Sequence, residues 1–361
     1  MKVGGALVVA LFLISCGNEP TASAPTPNRP GMPTATTTAS PGPASSSRTS
    51  ATVSPASAPP QISPAPIANS LNCRLPITWS DKAGYLRFPE GQVSEDPSAP
   101  SGSQFFDAAY SRWLPVAREA VSASGAQYAY TDGSTYQGIE GHVHIVDVST
   151  NADHVVYSGK VYRVVDFASE GIYLTEDTGD GPNTGFWLLN LSGGSPRLIN
   201  SSIWTPSVGG GSGWGGGFNP ADPSPPPGGM AGTPNLIDRI DLSNETATPW
   251  FYTQGAQPTV LGFDRSGDPF VRVDRMAPND PDVQHGTNEL WIVTSQNTGS
   301  RLLSGVGWNE GPWRLAAIDS HGVWFDGSDG IWLYSQGAVQ LVAKPGVGQL
   351  SVAVAGGCLK N

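Results

Sequence analysis

The chain has 361 residues, a formal net charge of −11, and unusually many glycines (45) and prolines (33). An acidic chain repels phosphate backbones, which excludes nucleic acid as a partner. Glycine and proline at this level point to short strands joined by many turns, plus a stretch that does not fold.

The first element is a leader. "MKVGGALVVALFLISCGNEP" sets one lysine before an apolar run from Val3 to Ile14, too short to span a bilayer as a mature helix. A charged start, an apolar middle and a small residue before the cut describe a secretory signal peptide, assigned to residues 1–15. The four residues Leu13-Ile14-Ser15-Cys16 resemble the lipobox of bacterial lipoproteins. That resemblance implies cleavage before Cys16 and acylation of its thiol and new amino terminus. The expected product is extracytoplasmic and anchored to a bacterial cell membrane by lipid. Residues 16–70 then read as a lipidated Pro/Ser/Thr-rich linker with almost no large apolar side chains. Such a segment buries too little surface to offset the entropy of ordering, so it is expected to be a disordered tether.

Residues 71–361 carry the folded domain. Cys73 opens it and Cys358 nearly ends it, and two cysteines in an exported chain predict a disulfide. Such a bond requires both ends of the domain to lie side by side. "FFDAAYSRW" (residues 105–113) reads as a short helix leading into a repeat. Small-residue strands then turn at Gly125, Gly171, Gly213, Gly267 and Gly322, at steps of 46, 42, 54 and 55 residues. Each is followed by a third strand, anchored in turn at His144, Trp187, Asp238, Trp291 and Trp332. Units of this length built from four short strands predict an all-β, six-bladed β-propeller. Five units are complete. The sixth would join the C-terminal "GQLSVAVAGGC" to strands from "CRLPITWSDKAGYLRFPEGQV", closing the ring with both chain ends. Residues 205–234 and 276–288 are expected to be long loops that make the rim uneven.

The turns, the aromatic third strands and the "G-x-x-R-L" returns resemble TolB-like and WD40-like propellers. "HIVDV", "GIYLTED", "FWLLNL", "GFDRSG" and "WFDGSDGIWLY" look like a group of bacterial propeller lipoproteins of unassigned function. The resemblance implies a fold and carries over no catalytic residue.

Few residues invite chemistry. His142 and His144 lie two apart on one strand and share a face, a spacing metal sites use. With no third ligand legible, they read as structural or solvent-facing. Asp264 and Asp319 precede turn glycines and read as turn caps. Asp166 falls on an inner strand, where Gly262 and Ala317 stand in other units, and is the one candidate for a channel cation site. No cofactor motif is present; calcium is the ion that Asp166 would take. There is no G-x-S-x-G elbow, and Trp214 among its glycines reads as core. The expected protein is a monomeric, membrane-tethered module that binds an envelope protein, peptide or glycan without catalysis. The alternative is a metal-assisted hydrolase or lyase with its site in the channel.

Overall fold

The computed structural model describes residues 61–179, 183–222, 233–275, 286–307, 310–346 and 352–361. The leader, Cys16, most of the tether and the residues 223–232 and 276–285 lie outside the described residues. The described chain is all-β, its strands arranged among the described residues in six antiparallel sheets, none closed on itself.

One sheet draws on both ends of the chain. Cys73–Trp79 pairs on one side with Lys82–Arg87, which pairs in turn with Gln92–Glu95. On its other side Cys73–Trp79 pairs with Val352–Val354 and, nearer the end, Leu359–Lys360. The union of N- and C-terminal strands expected from the sequence is present. A bond between Cys73 and Cys358, with Cα atoms 5.7 Å apart, fastens it.

Moving along the chain, three strands, Gln127–Ser134, Ile139–Asp147 and Asp153–Gly159, form the first repeat unit. Its expected inner strand is reduced to one bridge, Val121 to Tyr128, behind a 3-10 turn at Arg118–Ala120. A seven-stranded sheet runs from Tyr162–Ala168 to Ala247–Tyr252. It fuses two repeat units because one 13-residue strand, Arg197–Gly209, is the last strand of one and the first of the next. A four-stranded sheet (Gln257–Phe263 to Thr298–Gly307) and a five-stranded one (Pro312–Asp319 to Ala338–Pro345, plus Ile62–Pro64) complete the series. The third strands anchored at His144, Trp187, Asp238, Trp291 and Trp332 all form.

Alternation of apolar and polar residues gives each strand a buried face, and the sheets bury those faces against one another. Phe167, Ile172 and Leu174 of the seven-stranded sheet cover Val143 and Ile145 of the first unit. Trp214 and Phe251 pack on Val271 and Val273, and Phe270 and Leu290 on Leu315 and Phe325. Trp324 and Leu333 then meet Leu75, Ile77 and Phe88 of the sheet from the chain ends. Ala83 and Ala355 of that sheet pack on Phe106 and Trp113, whose neighbours Leu114 and Val116 touch Val148 of the first unit.

Four local expectations need correction. Residues 105–113 are a hairpin, Phe105–Asp107 with Arg112–Leu114. Asp107 turns it by accepting the Ala109 N–H at 2.8 Å, and cross-strand pairing sets Phe106 opposite Trp113, both buried. The ordered chain begins before residue 71: Ile62–Pro64 pairs with Ala338–Pro345 and shields what would be an open edge. Third, the turn in "SVGGGSGWGGGF" falls at Gly210 and Gly211, with φ of +57° and +70°, and Gly213 lies inside the Ser212–Gly217 strand. For the same reason residues 205–217 are largely strand, with Trp214 buried, and the loop expected over 205–234 starts later.

Candidate functional site

Asp166 was the sequence's candidate. A β-bulge between Val164 and Asp166 re-aims this part of its strand, and matching bulges occur before Gly262 and Ala317, as the repeat alignment required. Asp166 borders a cavity of about 560 Å³, together with Asp107, Arg118, Glu119, Ser122 and Ser124. Burial pushes its carboxyl up to about 7, against the lowering effect of the Arg118 charge. Asp326 of the five-stranded sheet is likewise raised by burial, and the charge of Glu119 adds to the shift of both. Asp107 is 5% exposed and its Oδ2 has no hydrogen-bond partner among the described residues. Gly125, at φ +72°, lies against that oxygen; a Cβ there would come within 2.5 Å of it. The cavity is acidic, yet Asp166 belongs to neither of the two compact groups of three potential metal ligands among the described residues.

One of those groups is Cys73, His321 and Cys358, whose thiols are consumed by the disulfide. The other is Asp132, His142 and His144, each offering a ligand atom within 4.8 Å of the others. Strand alternation explains it. Val143 and Ile145 point into the core, so His142 and His144 point away from it. Cross-strand register places Asp132 opposite His142 and Tyr130 opposite His144. Nδ1 of His142 lies 2.7 Å from Oδ1 of Asp132, and Nε2 of His144 lies 3.4 Å from its Oδ2. On the far side, His144 Nδ1 is 3.0 Å from Oδ1 of Asp153, whose Oδ2 accepts the Tyr130 hydroxyl at 2.7 Å. The Tyr130 ring stacks on the His144 imidazole at 4.3 Å. Burial works to raise the Asp132 carboxyl, but the hydrogen bonds and charge of His142 outweigh it and hold Asp132 below its ordinary range. Asp153 is lowered chiefly by the Tyr130 hydrogen bond. Asp132 and Asp153 went unread in the sequence because neither neighbours the histidines along the chain; only register joins them.

Tyr130 and Asp153 also line a groove of about 760 Å³. Its walls include Val116, Tyr128, Val164 and Arg163, and no Ser, Cys or His is among the residues lining it. Elsewhere the expected structural roles are filled. Asp264 accepts the Ser266 and Asp268 N–H groups, and Asp319 accepts the N–H of His321. Trp214 is buried, with its Nε1 donating to Gly209 at 2.9 Å.

No family model matches the chain, and no curated protein does. Solved structures similar to it include TolB from Acinetobacter baumannii, at 13% identity, covering 79% of this chain and 67% of that one, with a TM-score of 0.47. An oligogalacturonate lyase in complex with manganese is similar at 11% identity over 76% of this chain and 74% of its own, TM-score 0.41. An auxiliary nutrient binding protein from Bacteroides thetaiotaomicron is similar at 10% identity over 78% and 76%, TM-score 0.37. At such values these similarities assign no activity to this chain.

Proposed function

We propose that this protein is a lipid-tethered, extracytoplasmic β-propeller of six blades that binds a protein, peptide or glycan without transforming it. The blade count takes the seven-stranded sheet as two blades sharing the Arg197–Gly209 strand. The cyclic order of sheet packing supports a ring joined through the disulfide-linked sheet from the chain ends. Cys16 is the proposed lipid attachment, on the lipobox-like residues before it.

The binding reading rests on the groove of about 760 Å³. Ligand sites are concave and largely apolar, with a few placed polar groups. This groove combines the rings of Tyr128 and Tyr130 and the side chains of Val116 and Val164 with Arg163 and Asp153. No Ser, Cys or His is among its lining residues. Capture from native envelopes with the full chain as bait tests the reading. A partner that is retained in chelator but lost with Tyr128→Ala supports it. A partner indifferent to Tyr128 would place binding elsewhere, and an activity lost in Asp166→Asn would favour channel chemistry.

A further inference from the structure

Asp132, His142 and His144 do not line the groove, although Tyr130 and Asp153 beside them do, and this cluster supports a separate inference. We propose that Asp132, His142 and His144 bind a divalent transition-metal ion of the zinc type, with solvent completing the coordination.

The donor set suits that ion. Two imidazoles and a carboxylate are ligands for zinc and its neighbours, whereas calcium and magnesium prefer oxygen alone. Zinc with bonds of roughly 2.0–2.1 Å holds its tetrahedral ligands about 3.3 Å apart. His144 Nε2 and Asp132 Oδ2 already stand 3.4 Å apart. His142 Nδ1 and Asp132 Oδ1, at 2.7 Å, share a proton that the ion would replace with a small opening of the pair.

Orientation is the second argument. His144 Nε2 is buried and has no hydrogen-bond partner, while its Nδ1 is engaged by Asp153. A ligating histidine characteristically gives its other ring nitrogen to a carboxylate, which fixes the ring and its tautomer. Here the carboxylate is itself held by Tyr130, whose ring stacks on the imidazole. The free nitrogen is therefore turned toward Asp132, whose Oδ2 lies 3.4 Å away. Access is open from the other side, where the His142 and Asp132 side chains are 33% and 49% exposed. Three protein ligands and a solvent-facing position describe an open rather than a closed structural site.

The test uses the tag-free full chain, stripped with chelator and then titrated with Zn²⁺ against a chromophoric competitor. Co²⁺ absorption gives a second readout. One equivalent should bind, with the visible bands of low-coordinate cobalt, and should raise the unfolding midpoint. His142→Gln should weaken binding more than about 100-fold, and Asp153→Asn about 10–100-fold as a positioning residue. His142 is partly exposed, so His142→Gln should unfold at the wild-type midpoint without metal, which separates lost binding from lost folding. Failure of the wild-type chain to take up one equivalent overturns the proposal. So does wild-type affinity in the His142→Gln/His144→Gln double variant.

Discussion

The first repeat unit and the five-stranded sheet use the same slot differently. In the five-stranded sheet the slot holds Trp332, 7% exposed, whose Nε1 donates to Asp329 at 2.9 Å. In the four-stranded sheet it holds Trp291, donating to Glu289 at 2.8 Å. In the first unit it holds His144, with Nδ1 3.0 Å from Asp153. Each ring nitrogen thus meets a carboxylate, but indole has one nitrogen and imidazole has two. The second is left over, and it faces Asp132.

The neighbours differ to match. Gly330 and Gly327 stand where the first unit has His142 and Asp132. A Cβ at Gly327 would come within 2.7 Å of the Trp332 Nε1, so this indole packs directly over glycine, whereas Trp291 has Glu289 and Val273 at the matching positions. In the first unit the slot's imidazole is flanked by two polar side chains.

The comparison breaks most visibly at the large ring. Trp332→Ala should destabilise by about 4 kcal/mol in urea unfolding, the range for emptying a buried aromatic site. A loss under 1 kcal/mol would show that the slot is not a packing anchor.

Charge sets the five-stranded sheet against the seven-stranded one as well. Asp326 is held by Arg314 at 2.7 Å, whereas Asp166 has no hydrogen-bond partner among the described residues. Burial favours the neutral acid at Asp166, with its pKa near 7. Stability is therefore fully present below about pH 4, declines as pH rises from about 4 to 7, and is level above. Asp166→Asn removes the decline and should gain roughly 3 kcal/mol over wild type at pH 8, and almost nothing at pH 4. An equal gain at both values would assign the effect to packing.

Smaller effects sharpen the contrast. Gly327→Ala should cost about 2 kcal/mol by crowding the indole, seen as a lower urea midpoint at unchanged slope. His144→Ala, in the slot of Trp332, should cost only about 1 kcal/mol. Asp132→Ala, on a half-exposed side chain, should stay within about 0.5 kcal/mol in metal-free protein. A larger loss there would make the cluster a structural ion pair.

Much of the architecture was legible before any coordinates. Turn glycines and aromatic third strands recur at spacings that only short strands fit, and cysteine count pointed to Cys73 and Cys358. Elements were misread where a residue's role depended on a distant partner. "FFDAAYSRW" has no strong strand period of its own and becomes a hairpin because Phe106 and Trp113 are covered by the sheet from the chain ends. Residues 62–70 look like tether until the Ala338–Pro345 edge offers them a partner.

What the sequence alone determined was local: where strands turn, which faces are apolar, and that His142 and His144 share a side. Tertiary structure decided which carboxylates meet them. Asp132 lies ten residues before His142, and Asp153 nine after His144. Nothing in linear spacing distinguishes those two from other acids nearby. Register does, because pairing brings side chains from separate strands within bonding distance on one face.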